Sequence, residues 1–157
     1  MAREFVIKGI LVPMIAPFIP ITFIYNPTEI GDEKGSNYAQ LNPIGRSHPV
    51  YHFMNGEARE ITFTIELNDR YLKYGSLELY IDRIRKFQYP TVIGGNVKKG
   101  PPVVKFVLGQ LFFDAIIINT GVIRKQWTRF GFLQRAEIDL TLNQITNRNV
   151  NATDVLI

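Results

Sequence analysis

Hydrophobic and polar residues alternate most cleanly at residues 60–68, where Ile61, Phe63, Ile65 and Leu67 interleave with Glu60, Thr62, Thr64 and Glu66. A second run places Ala136, Ile138, Leu140 and Leu142 on one face, with Arg135, Glu137, Asp139, Thr141 and Asn143 on the other. A period of two with one apolar face predicts strands of an antiparallel sheet, half buried and half solvated. Between residues 101 and 118 two apolar runs flank Gly109-Gln110, and a two-residue loop with glycine first suits a type II′ hairpin turn. Asn119-Thr120-Gly121 reads as the next turn. The chain then continues through Trp127 and Phe130-Gly131 to a strand ending near Gln144. Residues 20–25 read as a first strand, and residues 50–54 and 59–68 as a hairpin about Asn55-Gly56.

One segment breaks the two-residue period. Leu77, Tyr80, Ile81, Ile84 and Phe87 recur at helical spacing behind Ser76, a good N-cap, with acidic residues early and basic residues late. The pattern predicts a mainly β chain, an antiparallel β-sandwich or barrel with one flanking α-helix. Residues 1–19 are expected to be an extended apolar arm that needs a groove on its own domain or on a neighbouring subunit. Residues 20–146 form the β domain and residues 147–157 a polar tail. Residues 28–49, rich in glycine, proline and charge, read as a long loop and as the best candidate for contact between subunits. Residues 91–100 read as a second loop. The apolar stretch at 9–25 resembles a membrane span only superficially, because Pro13, Pro17 and Pro20 interrupt it. It also lacks the form of a signal peptide.

Composition changes this picture little. A chain of 157 residues with 46% hydrophobic and 20% charged positions can bury a core of its own. It has no cysteine, so neither disulfides nor thiolate metal sites enter. The net charge of +4 is spread in short pairs such as Arg85-Lys86 and Arg124-Lys125, not in the clustered stripe that phosphate binding favours.

Candidate chemistry is sparse. His48 and His52 flank Pro49 in an extended segment and have no third ligand at metal spacing. Ser36, Ser47 and Ser76 have no evident base. Gly94-Gly95 and Lys98-Lys99-Gly100 lack the strand–helix frame of a phosphate loop. Glu60, Glu66, Glu137 and Asp139 read as sheet-surface charges. Phe106, Phe112, Phe113, Trp127, Phe130 and Phe132 offer stacking surfaces for single-stranded nucleic acid, but most are expected to fill the core. No catalytic residue, metal or cofactor is expected.

The string Phe23-Ile24-Tyr25-Asn26-Pro27-Thr28-Glu29-Ile30 resembles the opening signature of the tube-initiator and baseplate proteins of contractile-tailed phages and contractile injection systems. The order of later features is similar too. Pro101-Pro102 precedes a strand through Phe106 to the turn at Gly109; Trp127 and Phe130-Gly131 follow; Arg135-Ala136 opens the last strand. The resemblance spans about residues 20–144. It implies a tail-tube-like fold assembling as a hexameric ring between the hub or spike and the first tube ring. The ring would have no enzymatic role, and DNA would pass through its lumen only as cargo. The location implied is the tail or baseplate of a virion, made in the bacterial host cytoplasm, with tube, hub and baseplate-wedge proteins as neighbours and no membrane. Members of that family often carry a LysM module, for which the stretch after the last strand is too short, so attachment to the wedge is expected through another surface. Two other functions are compatible with the residues: the bulk tube subunit, and a monomeric β-barrel that binds a ligand or single-stranded nucleic acid.

Overall fold

A computed structural model describes residues 6–14, 18–72 and 75–146. The chain is mainly β with one flanking helix, as the alternation predicts. Its strands are β1 (Ile10–Pro13), β2 (Ile21–Thr22), β3 (Ile30–Leu41) and β4 (Val50–Asn68), followed after helix α1 (Leu77–Arg85) by β5 (Thr91–Ile93), β6 (Asn96–Lys99), β7 (Val104–Leu108), β8 (Leu111–Trp127) and β9 (Leu133–Gln144). Seven of them form a single sheet in the order β2-β1-β7-β8-β9-β4-β3, antiparallel at every step, while β5 and β6 form a small separate hairpin.

The two alternating runs become the centre of this sheet. Residues 60–68 of β4 pair with residues 135–143 of β9, and the apolar sets of both strands are buried on one face. The sheet curls around that face. Phe63 on β4 and Phe106 on β7 lie three strands apart, which across a flat sheet is roughly 14 Å from the strand spacing alone, yet their ring centroids are 5.1 Å apart. Phe23 and Phe113 complete the aromatic centre at 5.8 Å from Phe63 and 5.2 Å from Phe106.

Helix α1 packs Leu77, Tyr80, Ile81 and Ile84 into the same core. Ser76 caps it by accepting from the Leu79 N–H at 3.4 Å. The buried Tyr80 hydroxyl donates to the Thr22 carbonyl at 2.8 Å, and burial pushes that phenol above its ordinary pKa.

Several expectations need correction. Part of the presumed arm is a strand of the domain itself: β1 lies between β2 and β7, with Leu11 fully buried. Within residues 20–25 only Ile21–Thr22 form the strand; the Phe23 N–H still donates to the Gly9 carbonyl at 2.9 Å, and the Phe23 and Ile24 side chains are buried in the core. Most of the expected loop at 28–49 is strand β3, and only residues 42–49 connect it to β4. Asn55-Gly56 is not a turn. It sits inside β4 where two bulges shift the register against β3. Asn119-Thr120-Gly121 is likewise internal to β8, just past a bulge at Ile118. At both places the partner strand runs on unbroken, so turn-forming residues are accommodated as bulges and local bends. The loop at 91–100 is a hairpin turning on Gly94 and Gly95, both at positive φ. The turn at Gly109-Gln110 is present, with Gly109 at φ +59° and Leu108 paired to Leu111.

Candidate assembly surfaces

The features that a lone copy leaves uncovered are strand edges and one projecting ribbon. β3 is the last strand of the sheet, so its outer edge is unpaired over 12 residues among the described ones. β8 pairs with β7 only through residues 111–115. Its remaining residues, 116–127, pair on one side alone, with β9. Beyond that pairing, Gln88 donates to the Ile118 carbonyl at 3.3 Å. The two open edges lie on opposite sides of the run β8-β9-β4-β3.

The ribbon arises because β4 outruns β9. β9 pairs with β4 only from Glu60 onward, so residues 50–59 have β3 as their sole partner. None of residues 36–56 is buried. Tyr38, Leu41, Ile44, Tyr51, Phe53 and Met54 are nonetheless large and apolar, and Tyr38 and Phe53 meet edge to face at 5.6 Å. At its root the bidentate ion pair of Arg59 with Asp32 spans β4 and β3. Hydrogen bonding from Arg59 holds the Asp32 carboxyl below its ordinary pKa.

The opposite end of the sheet carries the turn between β8 and β9. Thr128 closes it: its N–H donates to the Phe132 carbonyl at 2.7 Å, and its hydroxyl accepts from the Phe132 N–H at 3.1 Å. Gly131 takes φ +86° there. The closed turn presents Trp127, Phe130 and Phe132 to solvent. A hollow of about 390 Å³ opens beside them, lined by Trp127, Phe132, Leu133, the start of α1 and the acidic residues Asp69 and Glu78. Arg124 of β8 holds Glu78 in a two-pronged pair at 2.7 and 2.9 Å. That hydrogen bonding lowers the Glu78 pKa.

The signature residues are distributed over the fold and do not converge on one site. Asn26 clasps the N-terminal segment: its Oδ1 accepts from the Gly9 N–H at 2.8 Å and its Nδ2 donates to the Ile7 carbonyl at 2.7 Å. Pro27 and Thr28 follow it into β3, and Pro101 and Pro102 lead into β7. Gly109 makes the β7–β8 turn. Trp127 and Gly131 border the hollow, with Phe130 on the same turn. Arg135 and Ala136 open the part of β9 that pairs with β4, where Ala136 is buried and Arg135 exposed.

The aromatic expectation is also corrected. Phe106 and Phe113 are core residues, whereas Phe112, Trp127, Phe130 and Phe132 are exposed. Nothing in the alternation marked the ribbon; the signal available was an acid-free, aromatic stretch at residues 36–56. Among the described residues no group of three or more His, Asp or Glu side chains is placed to hold a metal, and no helix is long and apolar enough to cross a membrane. The chain matches no known family model and no curated protein.

Proposed function

We propose that the protein is a structural ring subunit of a contractile tail or injection apparatus, placed at the junction of the baseplate hub and the tail tube. The observation that carries this reading is the pair of open edges. From β3 through β4 and β9 to β8 the chain reverses three times, so β3 and β8 run in opposite directions. A copy rotated about an axis roughly along the strands therefore brings its β8 edge to the first copy's β3 edge antiparallel, as in every other ladder of the sheet. Across the sheet Ile30–Glu33 lie level with Ile116–Thr120, so pairing beyond those residues needs the second copy displaced along the strands as well as rotated. Such a contact is heterologous and closes into a ring when the rotation divides the circle. Pairing removes the edge liability of a solitary sheet. The placement at the hub–tube junction comes from the ordered resemblance over residues 20–144.

Localisation within the particle tests the assignment. Gold labelling of a tagged chain is expected to mark a single band between hub and tube. Label along the whole tube would make the chain the tube subunit, and absence from the particle would overturn the proposal.

A further inference from the structure

Arg135 is level with Asn68 of β4 on one side and with Gln126 of β8 on the other. Two register shifts in β8 fall on Gln126, one before it and one after; bulges of this kind re-aim a side chain. Past Asn68 the chain turns into a short 3-10 helix, Asp69–Tyr71, which sets Arg70 beside the row. Asn68, Asp69, Arg70, Gln126, Gln134 and Arg135 line a niche of about 190 Å³. Its donors are planar: a guanidinium fork from each arginine and an amide group from each carboxamide. The Asn68 side-chain oxygen accepts from the Arg70 N–H at 3.1 Å, which leaves its amide nitrogen free to face the niche. Arg59, Arg124 and Lys125 each hold a carboxylate, whereas Arg70 and Arg135 make no ion pair among the described residues. Glu137, the next acid along β9, is already engaged by Lys125. Asp69 is the one acid in the lining, so two arginines against it leave a formal charge of +1.

We propose that this niche binds a single carboxylate, held between Arg70 and Arg135 with the amide donors of Asn68, Gln126 and Gln134 around it. A guanidinium meets a carboxylate through two parallel N–H bonds, and such charge-assisted pairs are the strong ones. The charge of the lining fits a monoanion. A nucleic-acid backbone would need a clustered basic stripe, and here Glu66 and Glu137 lie opposite each other on the adjoining rungs of β4 and β9. A niche of this size takes the head of an acid and its first carbons and leaves the rest of the molecule outside. A small free acid and an Asp or Glu side chain of another protein share that chemistry. The site lies wholly within one copy, so it goes beyond the ring reading and does not depend on it.

Trp127, the single tryptophan of the chain, follows Gln126 and serves as the reporter. Its fluorescence is followed while the full-length chain is titrated with succinate, with a capped tripeptide carrying a central glutamate, and with the glutamine counterpart of that peptide, all against chloride at the same ionic strength. The rise in melting temperature with each ligand repeats the measurement without the fluorophore. Saturable binding is expected for the two acids and not for the glutamine peptide. Tighter binding of the glutamate peptide assigns the site to a side chain of another protein, and tighter binding of succinate assigns it to a free acid. Arg70→Gln and Arg135→Gln are each expected to weaken binding about tenfold, the loss of one charge-assisted hydrogen bond. Arg135→Lys keeps the charge without the fork and is expected to recover only part of it. Both arginines are exposed, so the ligand-free variants are expected to melt with the parent, which separates lost binding from lost folding. No saturable binding of either acid beyond chloride, or full affinity in both glutamine variants, overturns the site. Either result leaves ring formation untouched.

Discussion

Gly9 is needed for the space it does not fill. A Cβ there would come 2.6 Å from Phe23 Cδ2 and 3.1 Å from Leu108 Cδ1. The backbone of Gly9 also accepts from the Phe23 N–H at 2.9 Å, so the two residues cannot part without breaking that bond. Gly9→Ala is expected to destabilise the fold by about 1–3 kcal/mol, the usual range for overpacking a core; chemical denaturation measures it, and an unchanged midpoint contradicts the packing described.

Two ion pairs have a pH signature. Asp32 and Glu78 both have lowered carboxyl pKa values, first because Arg59 and Arg124 donate hydrogen bonds to them. A group whose folded pKa is depressed contributes its stability above its unfolded pKa, near 4 for carboxylates. That contribution is lost as pH falls through the lower folded value. Both pairs are substantially exposed, so each is worth only about 0.5 kcal/mol. The double variant Asp32→Asn/Glu78→Gln is therefore expected to lose less stability than the parent between pH 6 and pH 3. Parallel curves refute the assignment.

At the scale of elements, the ribbon is separable from the core. None of residues 36–56 contributes a buried side chain, and the body's ladders run through β4 only from Glu60. Replacing residues 36–56 by a short glycine-containing turn is expected to leave the melting temperature within a few degrees. A variant that no longer folds contradicts this division of labour.

The ribbon also marks the limit of what the pattern of residues conveys. Strands β4, β9 and α1 were legible in their inner parts because each has one face against the core, and burial imposes the period. The ribbon has no buried face, so nothing imposed alternation on residues 36–56, and Gly31, Gly35, Pro43 and Gly45 read as loop. Asn55-Gly56 and Asn119-Thr120-Gly121 misled for a related reason. Their residue types favour any local departure from a straight ladder, and long-range pairing decides between turn and bulge. Of the candidate surfaces, Trp127, Phe130-Gly131 and Arg135-Ala136 were visible in sequence order. That Trp127 and Gly131 border a hollow at the start of α1, and that β8 keeps an open edge, depends on which strand stops first.

For the whole molecule, the account reduces to one arrangement. Four long antiparallel strands, β8-β9-β4-β3, end in open edges on both sides, while β1, β2, β7 and the helix contribute to the core on one face. In the proposed ring, these open edges would pair between copies. The direct test is the mass of the purified full chain across a concentration series, by light scattering or sedimentation, with electron micrographs of the same samples. The account predicts a closed cyclic oligomer, six copies if the family resemblance extends to stoichiometry, built from the 18.0 kDa subunit. A monodisperse 18.0 kDa monomer at every concentration, with no ring in the micrographs, would contradict it.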